Sequence, residues 1–234
     1  MTRIPFVSIA VVAICGAIGI WLAMPGDRES ASLGTTDIGA PAESAPAFSA
    51  NAQQAEDIDT STIVEMSIGA ADAPVEIIEY ASFTCPHCQT FHKNVFPQLK
   101  AEFVDTGKVR FVHREVYFDR FGLWAGMVAR CGGEERYFGI IDIIYEEQRE
   151  WTQGQPTDVV EGLRRIGRTA GLTNDQLDAC LSDGSKAQTL VAWYQENAEE
   201  HGVNSTPTFV IDGRTYRNMP YSEFVEIIED KVGG

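Results

Sequence analysis

The hydrophobic and polar positions divide the chain into three stretches. Ile4 to Met24 is apolar throughout and carries no charge, whereas residues 25–60 show neither a helical nor a strand period. Beyond that, strand and helix patterns alternate. Thr62-Ile63-Val64-Glu65 reads as a first strand, and Gly69 to Pro74 as the turn into the β-rich run Val75-Glu76-Ile77-Ile78-Glu79-Tyr80. Phe91, Val95, Leu99 and Phe103 then recur at four-residue steps and predict one buried helical face, followed after Gly107 by an alternating strand over Val109–Val116. A parallel strand–helix–strand unit of this order crosses over right-handed.

Residues 119–202 contain no strand pattern but several helical ones. Leu123, Met127 and Cys131 share one face, Tyr137, Ile140, Ile141, Ile144 and Tyr145 another, and Pro156 opens a helix running to about Ala170. Thr173-x-x-Gln176 and Ser185-x-x-Gln188 have the form of capping boxes that begin two more. Trp124, Tyr137 and Trp151 read as helix-packing core. Gly202–Pro207 ends the helical stretch, Thr208-Phe209-Val210-Ile211 forms a strand, and Asp212-Gly213 turns it into a partner. A closing helix is expected from Ser222, its cap, through Ile228. The expected class is α/β, with an all-helical insertion at about 119–202 inside a domain spanning 61–234.

The apolar run at 4–24 is long enough to span a bilayer. Arg3 and the amino terminus precede it, so this end is expected to stay in the cytoplasm while the rest is exported. The reading is an uncleaved anchor; the rival is a cleaved signal peptide, against which Trp21-Leu22-Ala23 makes a poor cleavage site. Cys15 reads as a membrane-buried thiol. Residues 25–60, rich in Ala, Ser, Pro and acids, read as a flexible tether with some fraying helix around Ala50–Asp57. The net charge of −16 on 234 residues argues against nucleic acid as a partner.

The candidate chemistry lies where the second strand becomes a helix, at Cys85-Pro86-His87-Cys88. Pro86 suits the first helical position, where a missing N–H costs nothing. Free N–H groups and the helix dipole favour an anion there, so Cys85 is expected to hold its proton weakly, with His87 as an added donor. Cys88, over the same helical face, is the expected resolving thiol. Each unit of pKa depression favours the thiolate by roughly 1.4 kcal/mol. Because about 30 mV of two-electron potential carries the same free energy, such a disulfide is a stronger oxidant. Two other readings compete: half a zinc site with His92 as third ligand, for which no second C-x-x-C exists, and an inert structural disulfide.

Glu79-Tyr80-Ala81-Ser82-Phe83-Thr84-Cys85-Pro86-His87-Cys88, together with Ser205-Thr206-Pro207-Thr208-Phe209 downstream, resembles the DsbA family of thioredoxin-fold periplasmic oxidoreductases, and within it the α-proteobacterial DsbA-like proteins. The resemblance spans roughly residues 62–230. It implies a thioredoxin-like fold with the helical insertion, a cis Thr206-Pro207 bond facing the dithiol, and substrate held by strand addition at Thr206 and Pro207. It also implies a proton-relay role for Glu79 beneath the site. Without a partner an ionised acid in a buried strand is costly, so Glu79 is neutral, paired or solvated at an edge; Arg110 is the counter-charge that the element order suggests. His113 reads as an ordinary strand residue.

Cys131 and Cys180, the remaining even pair in an exported chain, are most simply a structural disulfide, with two separate buried thiols as the alternative. The expected activity is donation of the Cys85–Cys88 disulfide to unfolded exported proteins, with a DsbB-like membrane oxidase as the partner that reoxidises it and neither metal nor organic cofactor. An isomerase or reductase is the runner-up, because Thr206 stands where the best-known DsbA has Val before its cis-Pro. A metal-binding or chaperone module using Cys85, His87 and Cys88 is the rival from another class.

Overall fold

The structure is a computed structural model in which residues 58–233 are described. The anchor or signal at 1–24, Cys15, the fraying helix at 50–57 and nearly all of the tether lie outside the described residues. Among the described residues no helix is long and apolar enough to cross a membrane.

Five strands, Met66–Ile68 (β1), Val75–Ala81 (β2), Val109–Glu115 (β3), Thr208–Ile211 (β4) and Arg214–Arg217 (β5), form one sheet in the order β1-β3-β2-β4-β5. β2 runs parallel to β3, and the other neighbours are antiparallel. Being central, β2 is buried on both faces, which its apolar run of Val, Ile and Tyr suits. Its alternation puts Ile77, Glu79 and Ala81 on one face, beside Phe111, His113 and Glu115 of β3. Ile78 and Tyr80 point the other way and pack with Val112 and Val210. The β4–β5 hairpin turns through Asp212 (φ 44°) and Gly213 (φ 78°), the doubly positive pair that a two-residue turn of primed type requires.

The first strand differs from expectation. Met66–Ile68 pairs with β3, whereas Ile63, inside the predicted 62–65 segment, is buried against Met127, Leu190 and Trp193 of the helical region. The dithiol helix, Pro86–Asn94 (α1), is also shorter than its periodicity suggests. Pro97 has no N–H to donate and its ring would collide with the Lys93 carbonyl, so the chain breaks at Val95. It resumes as Phe96–Leu99 (α2) and a π-turn over Lys100–Val104, keeping Phe91, Leu99 and Phe103 buried on one side.

Between β3 and β4 lie six helices: Arg120–Cys131 (α3), Gly133–Glu146 (α4), Gln148–Trp151 (α5), Pro156–Thr169 (α6), Asn174–Ser182 (α7) and Gly184–Glu200 (α8). Thr173 and Gln176 cap α7 reciprocally, as their spacing predicts. Ser185 does not cap α8: Asp183 accepts the Lys186 N–H at 2.8 Å and starts the helix earlier. The closing helix, Tyr221–Val232 (α9), likewise begins before Ser222, after the extended Pro220. Cys131 and Cys180 are joined in a disulfide that ties α3 to α7 across 49 residues. On the chain-entropy model such a closure stabilises the fold by roughly 4 kcal/mol.

Two cores meet at α1. Ala81, Phe83 and Cys88 belong to a cluster with Tyr137, Ile140, Trp151 and Leu163 of the helical insertion. Phe91 belongs to another with Ile77, Phe111, Phe209 and Phe224, under α9. The dithiol helix is therefore held from two sides.

Candidate active site

β2 ends at Ala81, and Ser82–Thr84 bring the chain round to Cys85, the extended N-cap residue of α1 (φ −81°, ψ 120°), with Pro86 next. The loop is anchored in the helical insertion. Gln148 Nε2 donates to the carbonyls of Phe83 (2.8 Å) and Cys85 (3.0 Å), and Thr84 Oγ1 donates to Asp119 Oδ2 (2.7 Å). Asp119 in turn caps α3 through the Phe121 and Gly122 N–H groups. Pro86 and His87 are exposed, Cys85 is half-buried and Cys88 is fully buried; both cysteines are free thiols.

The two sulfurs have opposite proton affinities. The Cys88 thiol donates to Cys85, which outweighs the cost of burial; with the Thr206 hydroxyl and the Cys88 and His87 backbone N–H groups adding to it, the Cys85 thiol is pulled from 9.0 down to about 5. Burial pushes Cys88 well above the ordinary thiol value, and its hydrogen bond to Cys85 and the nearby Glu79 carboxylate push the same way. Opposite them lies the cis Thr206-Pro207 bond. The Thr206 carbonyl is 3.5 Å from Cys85 Sγ. Thr206 Oγ1 is buried and makes no hydrogen bond of full geometry, yet it is near enough to favour the thiolate form of either sulfur. The structure thus brings Cys85, Cys88, Thr206 and Pro207 together.

Glu79 is fully buried on the face of β2 beneath the dithiol, and burial raises its carboxyl to about 8, against the opposing pull of His113. The edge alternative and the Arg110 counter-charge are both overturned, and the neutral, paired alternative holds. Strand register decides this: Arg110 sits beside Glu76, ion-pairs with it and donates to Ser67, whereas Glu79 sits beside His113 on the opposite face. The partner of Glu79 is His92, on α1 one turn past Cys88, with Nε2 2.8 Å from Glu79 Oε2. The Cys88–His92 spacing of four residues was a signal in plain view. His113 is no ordinary strand residue either. Its Nδ1 lies 2.8 Å from the Tyr137 hydroxyl and its Nε2 3.4 Å from that of Tyr145. Burial holds both imidazoles neutral, His92 down to about 3 and His113 to about 4.

Among the described residues, Glu79, His92 and His113 are the group whose side-chain types and closeness, within 4.8 Å, would suit a metal ion. Neither Cys85 nor Cys88 belongs to it. His92 Nε2 is turned to Glu79 and both His113 nitrogens to tyrosine hydroxyls, an arrangement suited to passing protons.

Residues 61–230 match a family model described as thioredoxin. A Rickettsia bellii protein named for protein-disulfide oxidoreductase activity is 30% identical, over 82% of this chain and 76% of its own length. The chain belongs to the thioredoxin family. Among solved structures it is similar to Wolbachia pipientis alpha-DsbA1, at 27% identity and a TM-score of 0.67, over 72% of this chain and 91% of that one. BdbD of Bacillus subtilis shares the fold at 21% identity, with a TM-score of 0.65 over 73% and 94% of the two chains. This is therefore a DsbA-like thiol–disulfide oxidoreductase of α-proteobacterial type. A related Rickettsia typhi protein is matched over 55% of its length only.

Proposed function

We propose that the protein donates the Cys85–Cys88 disulfide to unfolded, exported proteins. A substrate thiolate attacks Cys85 Sγ, the Cys85–Cys88 bond breaks, and Cys88 leaves as a thiolate that takes up a proton. A second substrate thiolate then attacks the substrate sulfur of the mixed disulfide, and Cys85 leaves as a thiolate. The substrate loses two electrons, and the enzyme dithiol gains them. One observation carries this direction: Cys85, at a helix start, has its thiol held at about 5, which makes it a good leaving group and the reduced enzyme a stable product. The Thr206 carbonyl beside Cys85 supports a substrate strand docked along Thr206-Pro207.

The apolar run at 4–24, preceded by Arg3, supports export with a tether in the inner membrane, and a DsbB-like membrane protein is the reoxidant the chemistry then needs. The test is the redox equilibrium of the couple with glutathione, together with a thiolate titration of the reduced protein. A midpoint near 5 and a couple more oxidising than the glutathione pool are expected; a thioredoxin-like potential would move the assignment to a reductase. Stability carries the same signature. With Cys85 at about 5 folded and 9.0 ordinarily, the unfolded chain holds the extra proton between those values. The reduced form therefore gains stability as pH rises through that window and loses it on acidification through about 5, a slope the disulfide form lacks.

A further inference from the structure

Each turn of this exchange moves a proton to or from Cys88, a sulfur with no solvent exposure. Opening the disulfide leaves a charge there that needs a proton; reclosing it requires that proton to leave. The Glu79 carboxyl is close enough for its charge to be felt at Cys88, but it too is fully buried. It cannot exchange with water by itself. Two atoms next to this step stand without a hydrogen-bond partner among the described residues, Glu79 Oε1 and His92 Nδ1.

His92 stands between this interior and a surface cleft, its own side chain 1% exposed and its Nδ1 buried. Its Nε2 meets Glu79 Oε2 at 2.8 Å, and its ring stacks on Tyr145 at 4.1 Å between centroids, which fixes its plane. The same residue lines a cleft of about 270 Å³ between α1 and α4, away from the dithiol mouth. Asp142, Lys93, Lys100 and Glu146 also line that cleft, while Glu79 and His113 face the ring from the sheet. Asp142 is exposed, and its carboxylate acts on His92.

We propose that His92 passes protons between Glu79 and the Asp142 cleft, so that Cys88 is served through a side entrance while substrate covers the dithiol. This rests on Cys85–Cys88 being the exchanging pair. When substrate opens the disulfide, the Cys88 thiolate takes the Glu79 proton, Glu79 takes one from His92 Nε2, and water in the cleft supplies one to Nδ1. When the disulfide recloses, Cys88 gives its proton to Glu79, and the transfers run backward to the cleft. Each ring nitrogen gains what the other loses, so the imidazole ends each transfer neutral, and the second half-reaction restores the tautomer that the first changed. His92 acts through Glu79 and touches neither sulfur.

The test follows reduced full-length protein reacting with oxidised glutathione, acid-quenched to separate the Cys85–glutathione mixed disulfide from the closed enzyme. In His92→Gln, which keeps packing and a hydrogen bond to Glu79 but cannot shuttle, and in His92→Ala, ring closure is expected to slow about tenfold or more while mixed-disulfide formation is unchanged. Imidazole in solution is expected to restore closure in His92→Ala and to leave wild type unaffected. Wild-type closure in the Gln variant, or slowing in the Ala variant that imidazole does not relieve, would overturn the proposal. If wild type formed no mixed disulfide at all, the exchange reading itself would fall, and the side entrance with it.

Discussion

Two buried acids on one face of the sheet, at neighbouring strand positions, meet opposite fates. Glu115 of β3 is fully buried, yet Arg130 grips it with Nε and Nη2, both at 2.7 Å, and Tyr137 donates to it at 2.8 Å. Burial is the largest influence and raises its pKa, but the Arg130 charge and hydrogen bonds, with His113 and the Tyr137 hydroxyl, together outweigh it and the carboxyl ends below its ordinary value. Glu79 is as deeply buried and has only a neutral imidazole at 2.8 Å, so burial prevails and its carboxyl rises to about 8. The first site is a permanently charged strut between β3 and α3. The second keeps a proton that can be given up near neutrality, as the proposed relay to Cys88 requires.

Removing the strut is the sharpest way to break the comparison. Arg130→Met leaves Glu115 buried without its cation and removes the Arg130 bond to the Val64 carbonyl. A loss of about 3–5 kcal/mol is expected in denaturant unfolding, because an uncompensated buried charge carries the full desolvation penalty. A loss within error would mean that water reaches Glu115 and that the two acids differ less than their burial implies.

The matching change at the other acid has the opposite sign. Between 4.5 and about 8 the unfolded chain has lost a proton that folded Glu79 retains, so wild-type stability falls as pH rises through that window. Glu79→Gln removes this loss and still offers His92 a hydrogen bond. The variant is expected to match wild type below the window and to gain on it by about 1.4 kcal/mol per pH unit through the window, while ring closure slows. Equal stability of the two proteins at the upper end would show Glu79 already ionised and paired.

How much of this was legible in the sequence follows from the range of each interaction. The strand-to-helix dithiol, the Thr173–Gln176 cap and the Asp212-Gly213 turn rest on spacings of a few residues, and they stand where the pattern puts them. Cys131 and Cys180 were found by counting cysteines. The partner of Glu79 needed the register of two strands, because one step of slip exchanges the faces; Arg110 was therefore assigned to the wrong acid. His92 lay within reach of a helical-spacing argument, whereas His113 required β3, α4 and two tyrosines to be placed together. The breaks at Val95 and at Asp183 were also local, carried by Pro97 and by an acid two residues ahead of the predicted cap.

The smallest effect tests whether the two acids are separate at all. Ionised Glu115 can only accept, so the Tyr137 hydroxyl donates to it and must accept from His113 Nδ1, which places the proton of neutral His113 on that nitrogen. Among the described residues, Tyr137 is thus the side chain bonded both to the charged site and to the histidine beside Glu79. Tyr137→Phe removes one acceptor and one donor from buried groups and is expected to cost about 1–2 kcal/mol. Combined with Glu79→Gln above the titration window, it gives a double-mutant cycle. A coupling of about 0.5 kcal/mol or more would mean that the Arg130 strut biases the proton affinity of Glu79 through Tyr137 and His113. Strict additivity would mean that the tyrosine only packs between them, and that the exchange site titrates on its own.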